Sequence, residues 1–130
     1  MKIIGANFIE LESKRNPEFS GKLNIKTNIQ INSLEKLEKS KDTFKVTYTF
    51  IVDYGDLGKV KLKGELYIKT DQKTLKTLMK NKEDKKHNTP EYLSITNFVV
   101  KKASIKAFEL EDELGLPIHI KLPSLSIKQN

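Results

Sequence analysis

The sequence predicts an α+β fold, strands first and helices after, on three observations. Apolar residues recur at every second position through three consecutive runs between Lys22 and Lys69. The last two runs are joined by YGDLG, whose glycines and aspartate suit a hairpin and make the neighbours antiparallel. After Thr70 the spacing becomes helical, and Thr89-Pro90 opens a stretch that continues to Leu114.

The elements follow in order. Lys2 to Ser13 reads as a first strand with two apolar faces, Ile3, Ile9 and Leu11 on one and Ile4, Ala6 and Phe8 on the other. Such a strand is covered on both faces or meets another chain. SKRNPEFSG breaks the pattern with Asn-Pro and Gly and is a loop. From Lys22 to Asn32, Leu23, Ile25, Thr27, Ile29 and Ile31 share a face. Ser33 to Asp42 reads as a strand extension or an irregular turn. Thr43 to Tyr54 places Phe44, Val46, Tyr48, Phe50, Val52 and Tyr54 together, and Lys59 to Lys69 does the same with Val60, Leu62, Leu66 and Ile68. Gly64 falls on that inner face, where something packs close against the backbone.

Asp71 caps a short helix with Leu75, Leu78 and Met79 on one side. NKEDKKHN is a charged, exposed loop. The stretch from Pro90 to Leu114 is apolar around most of its circumference. Its β-branched residues admit a strand, and its acidic end opposes a helix dipole. Its length, its capping signals and Gly115 as a stop favour a helix covered on more than one side. The tail from Leu116 to Asn130 reads as extended. No internal repeat occurs, and residues 1–130 are expected to form a single domain.

Composition narrows the function. With 37% apolar and 32% charged residues and no run approaching a membrane span, a soluble protein without membrane association is expected. MKIIGANFIE lacks the apolar core of a secretory signal, and the absence of cysteine removes disulfides, thiol nucleophiles and thiolate zinc sites. A cytoplasmic location fits. The formal charge of +7 permits a polyanionic partner, yet Arg15 is the sole arginine, the side chain best suited to phosphate and base recognition.

Catalysis finds little support. His87 in a polar loop and His119 between two isoleucines have no neighbours at metal-ligand spacing, and both read as surface or structural residues. No nucleophile elbow, phosphate-binding glycine loop or zinc motif is present. Asp53 and Asp56 read as turn caps, and Glu109, Glu111, Asp112 and Glu113 as a solvated helix end. The expectation is a protein that is not an enzyme, with no catalytic residues, metal or cofactor.

Two surfaces remain. The polar face of the sheet projects Lys22, Lys26, Lys45, Lys59, Lys61, Lys63 and Lys69 against Asp53 and Glu65, a basic face on which Tyr67 is the lone aromatic. It reads either as a solvated lysine surface or as a nucleic-acid-binding module. The apolar excess of the first strand and the long helix reads either as an ordinary core or as a homo-oligomer interface, dimeric or tetrameric, through Ile4, Ala6, Phe8, Phe98 and Ile105.

The order of elements resembles the SecB export chaperone and its SecB-like relatives. The likeness runs from Ile3 to about Ile127. It rests on the long first strand, the crossover loop RNPEFSG, the DTFKVTYTFIVDYG and GKVKLKGELYIK strands, the helix TPEYLSITNFVVKKASI and the stretch GLPIHIKLPSLSI. The resemblance implies a four-stranded antiparallel sheet followed by helices packed on one face. Protomers would pair through their first strands, and dimers would stack through their helices. It implies an ATP-independent holdase for non-native polypeptides, in grooves built from the crossover loop, the second strand and the C-terminal region. Carried over, client binding falls to Phe19, Leu23, Ile25, Ile118, Ile120 and Leu122. The export chaperone docks the SecA motor through an acidic sheet face and a further C-terminal segment. Here the face reads as basic and SecA docking is not expected, so the chain is more similar to the SecB-like branch outside the export route, some members of which protect antitoxins.

Overall fold

The structure, a computed structural model, describes residues 1–120. Strands β1 (Lys2–Arg15), β2 (Lys26–Lys36), β3 (Thr43–Asp53) and β4 (Gly58–Lys69) precede helices α1 (Gln72–Glu83) and α2 (Pro90–Leu114), with a single 3-10 turn, Gly55–Leu57, between β3 and β4. The strands form one antiparallel sheet in the order β1-β4-β3-β2, leaving β1 and β2 at its edges. The expected α+β class is met. No described helix is long and apolar enough to cross a membrane.

The core lies between the sheet and α2. Phe44 faces Ile68, Val46 faces Leu66, Phe50 faces Leu62 and Val52 faces Val60 across β3 and β4. All eight are buried and meet Tyr92, Ile95, Val99, Ala103 and Ala107 of α2. Each such large side chain contributes about 1.5–3 kcal/mol. Gly64 is inward, as expected: it faces Tyr48, and a Cβ there would overlap the Tyr48 phenol.

Both helices begin at their predicted caps and α2 ends at its predicted stop, whereas α1 runs on to Glu83, three residues into the expected loop, with Asn81 buried. The Asp71 carboxylate accepts from the Thr74 backbone N–H, and the Thr89 hydroxyl from that of Tyr92. Gly115, at φ 67°, closes α2 in the left-handed conformation, and the Leu116 N–H returns to the Glu111 carbonyl. Leu75 and Leu78 are buried, whereas Met79 is exposed.

The reading of β1 as a strand with two apolar faces is corrected. Register shifts between Ile3 and Gly5 and between Phe8 and Glu10 insert Ile4 and Ile9 as bulge residues. Each bulge moves the alternation by one position, so Ile3, Ala6, Phe8 and Leu11 share the face of Ile68, Leu66, Gly64 and Leu62. Ile3, Ala6 and Phe8 pack against the core, while Ile4 and Ile9 remain 52% and 59% exposed. The second strand also starts later than expected, at Lys26, and takes Ser33 to Lys36 as its extension. Lys22 and Leu23 therefore lie in the loop.

The basic sheet face is corrected too. Pairing β1 with β4 sets Glu10 opposite Lys63 and Glu12 opposite Lys61. Glu10 lies 3.6 Å from Lys63, Glu12 3.5 Å from Lys59, and Asp42 3.6 Å from Lys69. Lys45 sits between Glu35 at 3.6 Å and Glu65 at 4.0 Å. Lys59 holds the Glu12 carboxyl below the usual carboxylate range, and the Ser40 hydroxyl, with Lys69 as a lesser cause, does so for Asp42. The face is a mosaic of ion pairs, because the acids that neutralise it come from β1, the end of β2 and the turn beyond.

Candidate functional site

Three segments converge on the β3–β4 turn. The crossover loop is pinned there by Asn16, whose N–H donates to the Leu57 carbonyl at 2.6 Å and whose side-chain amide donates to that of Asp56 at 3.3 Å. Strand β2 begins there, because Lys26 pairs with Asp53. The segment after α2 is tied there by Tyr54, whose hydroxyl donates to the Pro117 carbonyl at 2.7 Å. These are the regions to which the sequence assigned client binding. Phe19 and Ile25 are half-buried against the core, and Leu23, Ile118 and Ile120 are exposed. Leu122 lies outside the described residues.

A buried polar cluster fixes the post-helix segment. The Glu111 carboxylate accepts from the Tyr54 hydroxyl and from Nδ1 of His119, at 2.8 and 3.0 Å to its two oxygens. Nε2 of His119 meets the Ser104 hydroxyl at 3.1 Å, and the ring stands edge-on to Phe50 with centroids 5.7 Å apart. The Nδ1–H tautomer satisfies every polar group. Burial, with the Glu111 carboxylate as a further cause, raises the Tyr54 hydroxyl well above the ordinary tyrosine value, so it stays a donor. The reading of Glu111 as part of a solvated helix end is thereby corrected: its side chain is 0% exposed. Glu109, Asp112 and Glu113 are exposed as expected. His119 is buried and hydrogen-bonded through both ring nitrogens. Ser104, His119 and Glu111 follow the order of a hydrolase relay, but Ser104 is enclosed in the middle of α2.

From the β3–β4 turn, β2 runs along a cleft that sequence reasoning missed. A cavity of about 410 Å³ lies between Ile29, Gln30 and Ile31 of β2 and Lys82, Lys85 and His87 from the end of α1 and the loop after it. Tyr92 and Thr96 of α2 complete its wall, and the His87 ring stacks on Tyr92 at 4.7 Å. A second cavity, about 320 Å³, continues past Asn32, Ser33 and Leu34 towards Met79, sharing Lys82. In each case three consecutive β2 residues line the space. Side chains alternate along a strand, so a wall of consecutive residues is the strand's edge. Among the described residues no strand pairs with that edge.

The architecture matches a known chaperone fold. The structure is similar to that of the Rv1957 SecB-like chaperone of Mycobacterium tuberculosis, in complex with a ChAD peptide from the Rv1956 HigA1 antitoxin. The TM-score is 0.59 at 12% sequence identity, over 96% of this chain and 87% of that one. No family model matches the sequence, and no curated protein matches it. The likeness is therefore one of fold, and it agrees with the sequence resemblance in its four-stranded sheet followed by two helices.

The cleft escaped sequence reading for a physical reason. Ile29 and Ile31 carry the alternation of core residues, but at a sheet edge they are half-buried and border solvent. Lys82, Lys85 and His87 sit in what read as a featureless charged loop. The signal available was Tyr92, an aromatic in the first turn of α2 next to His87.

Proposed function

We propose that the protein is a SecB-like, ATP-independent holdase that binds non-native polypeptide in an apolar groove. The observation that carries the proposal is the elongated cleft along the open edge of β2, a strand that begins at the β3–β4 turn where the crossover loop and the post-helix segment are also held. An open edge offers backbone donors and acceptors to any extended chain, and Ile29 and Ile31 add apolar contact that does not depend on sequence. The fold shared with a chaperone solved in complex with a peptide supports the same reading. The groove combines Phe19, Leu23, Ile25, Ile118 and Ile120 with the cleft.

The protein acts as a homo-oligomer in this proposal. Edge strand β1 presents Ile4, Ile9 and Leu11, and α2 presents Leu93, Val100 and Ile105, the last 66% exposed. Between them lies a depression of about 480 Å³ lined by Ile3, Leu93 and Phe98. Ala6 and Phe8 serve the protomer's own core and support the interface from beneath.

The test is light scattering while a chemically unfolded protein is diluted with and without equimolar chain. Suppressed aggregation, weakened by Leu23→Asp or Ile120→Asp with circular dichroism unchanged, is expected. No suppression and no binding of unfolded chains would end the holdase reading, and a monomeric native mass would end the oligomer. The nucleic-acid alternative is not favoured, since Lys45, Lys59, Lys63 and Lys69 of the sheet face are ion-paired.

A further inference from the structure

The proposed groove has a charge preference, and this inference rests on the chaperone reading above. The structure lets us infer that the cleft along β2 selects extended segments in which acidic residues alternate with apolar ones, added as a further strand to the edge from Lys26 to Ile31.

The charge comes from one region. From Asp71 to His87 there are six lysines against three acids. Lys82 and Lys85 both line the larger of the two β2 cavities, which has no acidic residue in its wall. Neither forms an ion pair among the described residues, in contrast to the sheet lysines Lys45, Lys59, Lys63 and Lys69. Glu83 and Glu35 are the nearby acids: Glu83 lines the second cavity, and Glu35 is engaged by Lys45. Lys85 also holds φ 58°, a conformation in which glycine or asparagine costs less. That backbone ends the turn after α1 and sets Lys85 at the cleft.

The edge fixes the length. A register shift between Ile31 and Ser33 makes Asn32 a bulge, and its side chain turns to the Thr49 hydroxyl of β3 at 2.7 Å. Regular pairing on the open side is interrupted there, leaving about six residues, or roughly 20 Å, for an added strand. Alternate side chains of that strand would lie over Ile29 and Ile31 and the rest would turn outward past Lys82 and Lys85. A polypeptide fits this better than a nucleic acid, because the floor is aliphatic, the edge offers peptide-spaced hydrogen bonds, and stacking positions are few.

The experiment uses two fluorescent peptides of identical alternating valine pattern, one with glutamate and one with lysine at the intervening positions, read by anisotropy on the full chain. The acidic peptide is expected to bind about tenfold more tightly at low salt. The difference should shrink at physiological ionic strength and reverse in Lys82→Glu/Lys85→Glu. Lys85→Asn, which keeps the backbone conformation accessible, should lower acidic-peptide affinity while thermal stability is held. Equal affinity for the two peptides, or indifference to the double reversal, overturns the charge preference and leaves the chaperone reading standing. Displacement of the acidic peptide by single-stranded DNA at comparable concentration overturns it in favour of a general polyanion site. If neither peptide nor unfolded protein binds, both readings fall.

Discussion

Removing the Glu111 carboxylate should release the post-helix segment at a cost set by the two donors it serves. In Glu111→Ala the Tyr54 hydroxyl and His119 Nδ1–H lose their shared acceptor inside the core. His119 Nδ1–H is left without a partner, at about 1–3 kcal/mol, while the Tyr54 hydroxyl falls back on the Pro117 carbonyl alone, so a loss of about 2–4 kcal/mol is expected, reduced where water follows the lost side chain. His119→Ala should cost less, about 2–3 kcal/mol, because Glu111 keeps Tyr54 and Ser104 can turn its hydroxyl to its own helix. The two changes remove the same contact, so the double variant should lie about 1.5–3 kcal/mol below the sum of the singles. Urea unfolding of the four proteins gives the cycle directly. Hydrogen exchange at Ile118 to Ile120 should rise in every variant that breaks the cluster. Additivity within about 0.5 kcal/mol would refute the coupling and, with it, the role of the cluster as the anchor of this segment.

Two further outcomes follow from the core. Gly64→Ala should destabilise the fold by about 1–3 kcal/mol through overlap with the Tyr48 ring, and the same change in a Tyr48→Leu background should cost under about 1 kcal/mol; equal costs in both backgrounds would show that the ring is not the obstacle. Burial pushes the Tyr48 hydroxyl up to about 12, above its ordinary value of 10.0. The folded state therefore holds this proton more tightly, its contribution is complete below about pH 10, and about 2–3 kcal/mol is lost as pH rises towards 12. Stability against pH for Tyr48→Phe should lack that decline, and parallel curves for the two proteins would exclude it.

Legibility followed the strength of local signals. The boundaries of α2 were readable because Thr89-Pro90 and Gly115 each act through their own backbone, independent of the rest of the molecule. Strands β3 and β4 were readable because central strands impose strict alternation on both neighbours. The bulges of β1 were not, since a shift of register is visible only against the partner strand: Ile4 and Ile9 look like any other apolar residues until β4 is set beside them. Glu111 was misread for a related reason. An acid near an acidic helix end belongs in water unless donors wait for it, and its donors, Tyr54 and His119, come from a different strand turn and from beyond the helix. The lysine face failed likewise, its neutralising acids lying on β1, on the extension of β2 and in the turn after it, beyond the three runs that define the face.

The two edges of the sheet impose different requirements, and their side chains answer them differently. An open edge is a template for any strand, including another copy of the same chain. Along β1, Glu10 and Glu12 are matched by Lys63 and Lys59, so the edge carries little net charge, and its exposed residues include Ile4, Ile9 and Leu11. Two such edges can approach without repulsion and bury apolar surface, which suits self-association. Along β2, Lys82 and Lys85 border the cleft without ion-pair partners among the described residues, and Lys26 starts the strand. Two copies meeting at β2 would bring these charges together, a like-charge contact that opposes pairing. A foreign extended segment carrying acids meets no such barrier. The distribution of charge between the edges would thus keep β2 open in the proposed assembly through β1. It also predicts that Lys82→Gln/Lys85→Gln, which removes the like charge, will raise the native mass or the aggregation tendency of the protein. An unchanged native mass across concentration in that variant would show that the bulge at Asn32 alone guards the edge.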